Sequence, residues 1–153
     1  MVIKTKNFGN IDINEENIYT FDCGIPAFED LKKFTIIQQE DNSGIKPLFC
    51  WLQSIEDPET SFVIMDVYDI IPDYNPLVYD SDLESIGEVK EDNLLIYNIV
   101  VIPQTVSKMS VNLKAPVVIK HKKKKGKQMV VKNEDYSVKY YFYEELKKKN
   151  GGE

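Results

Sequence analysis

The chain contains no arginine, one histidine, one tryptophan and two cysteines in 153 residues. Each scarcity excludes something. Arginine is the usual residue for bidentate contacts to phosphate and guanine, so a nucleic-acid reader of the ordinary kind lacks its main tool. Two cysteines, Cys23 in "TFDCGI" and Cys50 in "PLFCWLQ", do not build a disulfide framework. Among apolar neighbours they read as small buried hydrophobes. One histidine and two separated cysteines offer no structural zinc spacing. No run reaches the ~18 apolar residues of a membrane-spanning helix. The opening "MVIKTKNFGNIDI" lacks the charged-then-apolar layout of a signal peptide. The expectation is a cytoplasmic protein without membrane contact.

Catalytic motifs are missing as well. There is no G-x-S-x-G, no P-loop and no G-x-G-x-x-G. His121 has no carboxylate beside it in sequence and reads as a solvated strand-end residue. Asp57, Asp66 and Asp69 could form an acid pair only if a pocket gathered them; solvated loop charges are the simpler reading. We expect no enzyme, no catalytic residue, no cofactor and no metal.

Apolar content of 42% and charged content of 29% are those of a globular protein. A chain of this length buries ~70% of its unfolded surface, so residues 1–146 are expected to form one domain. The tail "KKKNGGE", residues 147–153, is expected to fray. Charge is unevenly spread. Residues 1–100 hold 6 lysines against 20 acids, a balance of −14, and residues 101–153 hold 13 lysines against 5 acids, a balance of +8. The basic excess centres on "VIKHKKKKGKQMVV", Val118 to Val131. Such a cluster invites a nucleic-acid reading, but the acids of the same small domain would oppose phosphate.

The dominant period is two. "VIKTK" and "NIDI" flank "NFG" as a hairpin, and "NIYTFD", "TIIQQ", "LFCWLQS" and "SFVIMDVY" read as strands. "EDNSGIKP" and Asp57-Pro58 are turns by composition. "IIPDYNPLVY", with two prolines, resists helix and central strand. "NLLIYNIVVIP" is a central strand by length and β-branching. "SVNLKAPVVIKH" and "KQMVVK" predict a hairpin with "KKKKGK" at its tip, and "VKYYFYEEL" a closing aromatic strand. Two short helices are expected. In "PAFEDLKKF", Phe28, Leu31 and Phe34 recur every three residues; in "SDLESIG", Ser81 and Glu84 suit a capping box and Gly87 a stop. About ten short strands with two small helices point to an all-β, mainly antiparallel, compact β-barrel-like fold.

Several of these stretches, "GIPAFEDLKKF", "CWLQSIEDPETSFVIMD", "IPDY", "YNIVVIP" and "SVNLKAPVVI" with "GKQMVV", occur in the order seen in the flagellar assembly factor FliW family. The chain resembles that family from about Phe8 to about Phe142. It departs from it at Ala27, where a second glycine is usual, at Val67, where proline is common, and at Lys139, where arginine is often found. The resemblance implies a β-barrel without catalytic residues. It implies two partners: CsrA, the carbon storage regulator that represses flagellin translation, and flagellin itself. Binding CsrA would lift the repression, and flagellin would feed back on its own synthesis. Within the matched segments, Ile102, Pro103, Asn112 and Pro116 are the candidate partner-binding residues, with packing and turn geometry as their competing role. Asn112, polar between Val111 and Leu113, would serve backbone groups at a bend. Trp51 is expected in the core and a monomer is the default. The competing function is a lysine-hairpin nucleic-acid module, for which Tyr140, Tyr141, Phe142 and Tyr143 would supply stacking rings. The simpler account makes the lysines an exposed hairpin tip that stays soluble and pairs with the acidic body.

Overall fold

The computed structural model describes residues 1–38, 47–87 and 94–149. Most of the turn expected at "EDNSGIKP" lies outside them. The first two strands, β1 (Val2–Thr5) and β2 (Gly9–Asp12), form an antiparallel hairpin. Strands β3 (Ile18–Thr20), β4 (Lys33–Ile37), β5 (Phe49–Ser54), β6 (Ser61–Met65) and β7 (Leu94–Val101) then follow as an antiparallel meander. After β8 (Ser110–Val111), the hairpin β9 (Val117–Lys120) and β10 (Lys125–Gln128) closes the sheet. Strand β9 pairs with β7, and β10 meets β3 through one parallel pair, Lys125↔Thr20. Seven strands, β3 to β7 with β9 and β10, therefore form a closed barrel. Strand β8 and the short β11 (Tyr140–Tyr141) extend the sheet beyond β7.

The alternation of β7 explains its continuous apolar sequence. Leu95, Tyr97 and Ile99 join the barrel interior, packed with Phe21, Phe34, Leu52, Ile64 and Ile119. Ile96 and Val100 face outward into a second core with Met65, Val67, Met109, Val111 and Phe142. A strand buried on both faces reads as an unbroken apolar run. Asn98 interrupts it and is fully buried. Burying an amide without partners costs about 1–3 kcal/mol. Its Nδ2 donates to the Asn112 carbonyl at 2.8 Å and to the Tyr74 hydroxyl at 3.1 Å, and that hydroxyl donates to the Leu113 carbonyl at 2.7 Å. This network joins β7 to the segments packed over its outer face.

The helices differ from expectation. Residues 26–34 form no helix. Gly24 at φ +64° and Ala27 at φ +74° turn the chain, and Phe28 and Leu31 amides close short turns onto Ile25 and Phe28 carbonyls. Phe28, Leu31 and Phe34 still meet the barrel, with Phe28 and Phe34 both against the Phe62 ring, but they reach it by turns and a strand. Ala27 therefore occupies the left-handed region, which disfavours a Cβ. The second expected helix exists as α1 (Asp80–Ser85), but Tyr79 is its N-cap and no side chain caps it. Ser81 lies inside, because the helix starts at Asp80, two residues earlier than a Ser81 cap would allow; Gly87, at φ +121°, follows its end. The expected aromatic strand shrinks to β11 and continues as α2 (Tyr143–Lys149). Glu144 and Glu145 in its first turn and Lys147, Lys148 and Lys149 in its last suit the helix dipole. Cys50 is buried as expected, whereas Cys23 is exposed on the turn before Gly24. Trp51 is half-buried, edge-on to Phe8 of the first hairpin at 5.0 Å.

Candidate functional site

The lysine hairpin is tied to the body. Its turn is His121 to Lys124, shorter than expected, because Lys125 and Gly126 belong to β10. Lys120 is fully buried, and its ammonium donates to the Gly87 carbonyl. Lys125 meets both Asp22 carboxylate oxygens at 3.0 Å, and Lys127 lies 2.8 Å from Asp82. Lys124 sits 5.5 Å from the centroid of the Tyr19 ring. His121 is half-buried rather than solvated: its Nδ1 is 2.7 Å from the Tyr19 hydroxyl. Gly126 serves packing, not the turn. A methyl there would sit 2.5 Å from the Phe21 ring, which is itself fully buried and edge-on to Phe34.

The sheet extension beyond the barrel is built differently. The register aligns Val101 of β7, Ser110 of β8 and Tyr141 of β11 in one row. Paired residues share a face, so all three point the same way. Val101 is 55% exposed and Tyr141 58%, while Ser110 between them is 4% exposed. Two strand spacings separate Val101 from Tyr141 by about 10 Å. The two exposed apolar side chains thus flank a small, covered polar residue. Ile102, 45% exposed, and Val106, 52%, continue the apolar surface past the end of β7. Lys108 and Lys139 are exposed on the same segments. The adjacent row, Val100, Val111 and Tyr140, points inward into the second core.

The four candidate residues fall into two pairs. Ile102 is exposed and Pro103 half-buried, both at the open end of β7. Asn112 and Pro116 hold a turn. The Asn112 Oδ1 accepts from the Ala115 amide at 2.9 Å, and the Pro116 carbonyl accepts from the Met129 amide at 2.9 Å. Val101, Val106 and Tyr141 were not among the candidates. Strand alternation through "YNIVVIP" was the available signal: if Val100 turns into the second core, Val101 turns away from it.

Chemistry is not concentrated anywhere else among the described residues. Asp57 accepts from the Thr60 hydroxyl at 2.6 Å and the Glu59 amide at 3.1 Å, and these bonds hold its carboxyl below the usual range. Asp66 caps a turn by accepting from the Tyr68 amide at 3.0 Å. Among the described residues, no group of three or more His, Cys, Asp or Glu is placed to hold a metal, and no helix is long and apolar enough to cross a membrane.

Comparison with known proteins gives a consistent result. The family model described as "FliW protein" matches residues 2–142. A flagellar assembly factor FliW from Lachnoclostridium phytofermentans is 40% identical over 100% of this chain and 99% of its own. One from Thermoanaerobacter pseudethanolicus is 42% identical over 96% of each chain. A crystal structure of the flagellar assembly factor FliW superimposes with a TM-score of 0.83 at 33% identity, covering 92% of this chain and 96% of that one.

Proposed function

The chain belongs to the FliW family of flagellar assembly factors, and on that footing we propose that it works by binding proteins rather than by catalysis. Its partners in this reading are a CsrA-type translational repressor, whose hold on flagellin messenger it relieves, and flagellin, which competes as feedback. It acts as a monomer in the cytoplasm, without binding nucleic acid directly. The observation that carries the reading is the match along residues 2–142.

Two features support it. The −14 balance of residues 1–100 suits a basic RNA-binding partner, since complementary fields steer encounter and select partners. The same field disfavours RNA on the bound repressor. For contact, the open end of β7, with Ile102 and Pro103 beside Val101 and Tyr141, offers apolar side chains already out of the core. Asn112 and Pro116 would set the turn behind it.

The test is a titration of the protein into purified repressor carrying labelled flagellin-leader RNA, at two salt concentrations. Release of RNA as a protein–protein complex forms supports the reading. Direct binding of the RNA, with affinity falling steeply as salt rises, would instead make the lysine hairpin the working surface. Neutralising three or four surface acids should slow complex formation; unchanged binding and release would remove the electrostatic part.

A further inference from the structure

The lysines of the basic half are unequally engaged. Lys120, Lys124, Lys125 and Lys127 are held by the Gly87 carbonyl, the Tyr19 ring, Asp22 and Asp82. Lys114 donates to the Asn133 carbonyl at 2.6 Å and Lys149 to the Asp69 carbonyl at 3.0 Å. Lys132 and Lys147 lie over the rings of Tyr79 and Tyr143. Lys108, Lys139 and Lys148 differ: all are exposed, and none has a partner among the described residues. Two of these border the sheet extension. Lys108 closes the 3-10 turn that begins at the exposed Val106, and Lys139 precedes β11, which carries the exposed Tyr141. Residues 101–110 and 137–142 contain no acid. The next acids along the chain are Glu144 and Glu145. Glu145 accepts from the Tyr140 hydroxyl at 2.7 Å, and Glu144 lies in the first turn of α2, whose positive end it suits.

We propose that the extension takes an acidic amphipathic segment of a partner protein. Its apolar side chains lie against Val101, Ile102, Val106 and Tyr141, and its carboxylates against Lys108 and Lys139. This rests on the reading that the extension docks a protein, and it adds the chemistry of the segment docked. The sign follows from the rim, because charges across an interface select partners more than they add affinity. The acidic balance of residues 1–100 does not reverse it. Exposed charges are screened beyond about 8 Å at physiological salt, so the lysines at the contact decide. A protein segment fits better than nucleic acid. Four exposed apolar side chains offer nothing to phosphate, and two lysines are few beside the roughly 6–10 phosphate contacts of a salt-dependent binder.

The probe is the peptide acetyl-Asp-Leu-Glu-Glu-Leu-Ile-Glu-Glu-Leu-Leu-Asp-amide, whose apolar residues recur at helical spacing. It is titrated into the nitrogen-15-labelled full chain while amide correlation spectra are recorded. Shifts should concentrate on residues 101–110 and 139–142, with an affinity of about 1 mM or tighter. Replacing its acids with glutamine and asparagine should weaken binding about fivefold or more. The double variant Lys108→Glu with Lys139→Glu changes two exposed side chains and should fold as the parent does. At the same residues it should prefer a lysine-substituted peptide to the acidic one. If its spectrum is lost, Lys108→Gln with Lys139→Gln replaces it and should bind the acidic and neutral peptides equally. Equal binding of those two peptides by the parent, or an unchanged preference in the variant, would overturn the acidic assignment and leave the docking surface standing. Shifts confined to another surface, or none at saturating peptide, would overturn both. Single-stranded RNA shifting the same residues at equal concentration would make the lysines a phosphate contact and overturn the assignment too. The repressor titration on the same protein decides the regulator reading separately.

Discussion

The β9–β10 hairpin and the β7–β8–β11 extension invert what their sequences advertise. The hairpin carries the densest charge in the chain, yet much of it is directed inward. Lys120 is buried, Lys124 lies over Tyr19, and Lys125 and Lys127 are held by Asp22 and Asp82. The extension carries ordinary valines, an isoleucine and a tyrosine, yet Val101, Ile102, Val106 and Tyr141 stand open to solvent. Surface availability follows from where partners lie in three dimensions. Charge density in sequence does not report it.

Seating the hairpin wrongly is the strongest way to break this contrast. Gly126→Ala drives a methyl into the Phe21 ring, which has Phe34 behind it and cannot swing away. We expect a loss of about 3 kcal/mol, the upper part of the usual overpacking range, measured by urea denaturation. A hairpin that were only a soluble tip would tolerate the change, and a loss within experimental error would refute the packed description.

The next effect lies beneath the extension. Tyr74→Phe leaves the Leu113 carbonyl without its donor and the Asn98 amide with one fewer acceptor, at a cost of about 2 kcal/mol. Burial pushes the Tyr74 hydroxyl up to about 12 from an ordinary value of 10. Its folded value is raised, so its contribution is complete below pH 10 and lost as pH climbs from 10 toward 12. The variant should start less stable but lose less between those two pH values. Equal alkaline losses in both proteins would show that Tyr74 does not carry this dependence.

Much of the barrel was legible because strands announce themselves by period. β4, β5, β6, β7 and β9 all fall within runs of alternating or continuous apolar residues, and Gly87 marks the end of α1, whereas β10 (Lys125–Gln128) falls mostly in the stretch expected as the hairpin tip. What escaped was non-local or depended on backbone angle. The three-residue spacing of Phe28, Leu31 and Phe34 imitates a helix, while the positive φ of Ala27 cannot be read from an alanine. The rings of "YYFY" suggested a strand, although the order of Glu144, Glu145 and then Lys147 to Lys149 was a helix signal. The lysines' partners were invisible in principle, with Asp22 and Asp82 lying 103 and 45 residues away from theirs. At the candidate site, sequence order brought Ile102 and Pro103 forward but not the cross-strand row that gives them a surface.

Removing single cations sharpens the comparison more gently. The Lys127–Asp82 pair is about three-quarters shielded, with side-chain exposures of 25% and 24%; Lys125 and Asp22 are 37% and 59% exposed. Lys127→Ala should cost about 1 kcal/mol and Lys125→Ala less than about 0.5 kcal/mol, since exposed pairs contribute little and are screened by salt. The difference between the two should persist at high salt in thermal melts. If both changes proved equally silent, the hairpin's charges would be ordinary solvated lysines after all.

The smallest effect on folding should accompany a large effect on binding. Ile102→Glu places a carboxylate on an exposed side chain that contributes nothing to the three buried core clusters. Stability should stay within about 0.5 kcal/mol of the parent, as for surface substitutions in general. If the open end of β7 is the docking surface, a charge in its apolar centre should weaken the repressor or flagellin complex by at least about tenfold, because the carboxylate must be desolvated without a partner. Val2→Glu, at an exposed valine of the first hairpin, is the matched control and should leave both complexes unchanged. Binding retained by Ile102→Glu in a fully folded protein would remove the extension from contention, while the packed lysine hairpin would remain as described.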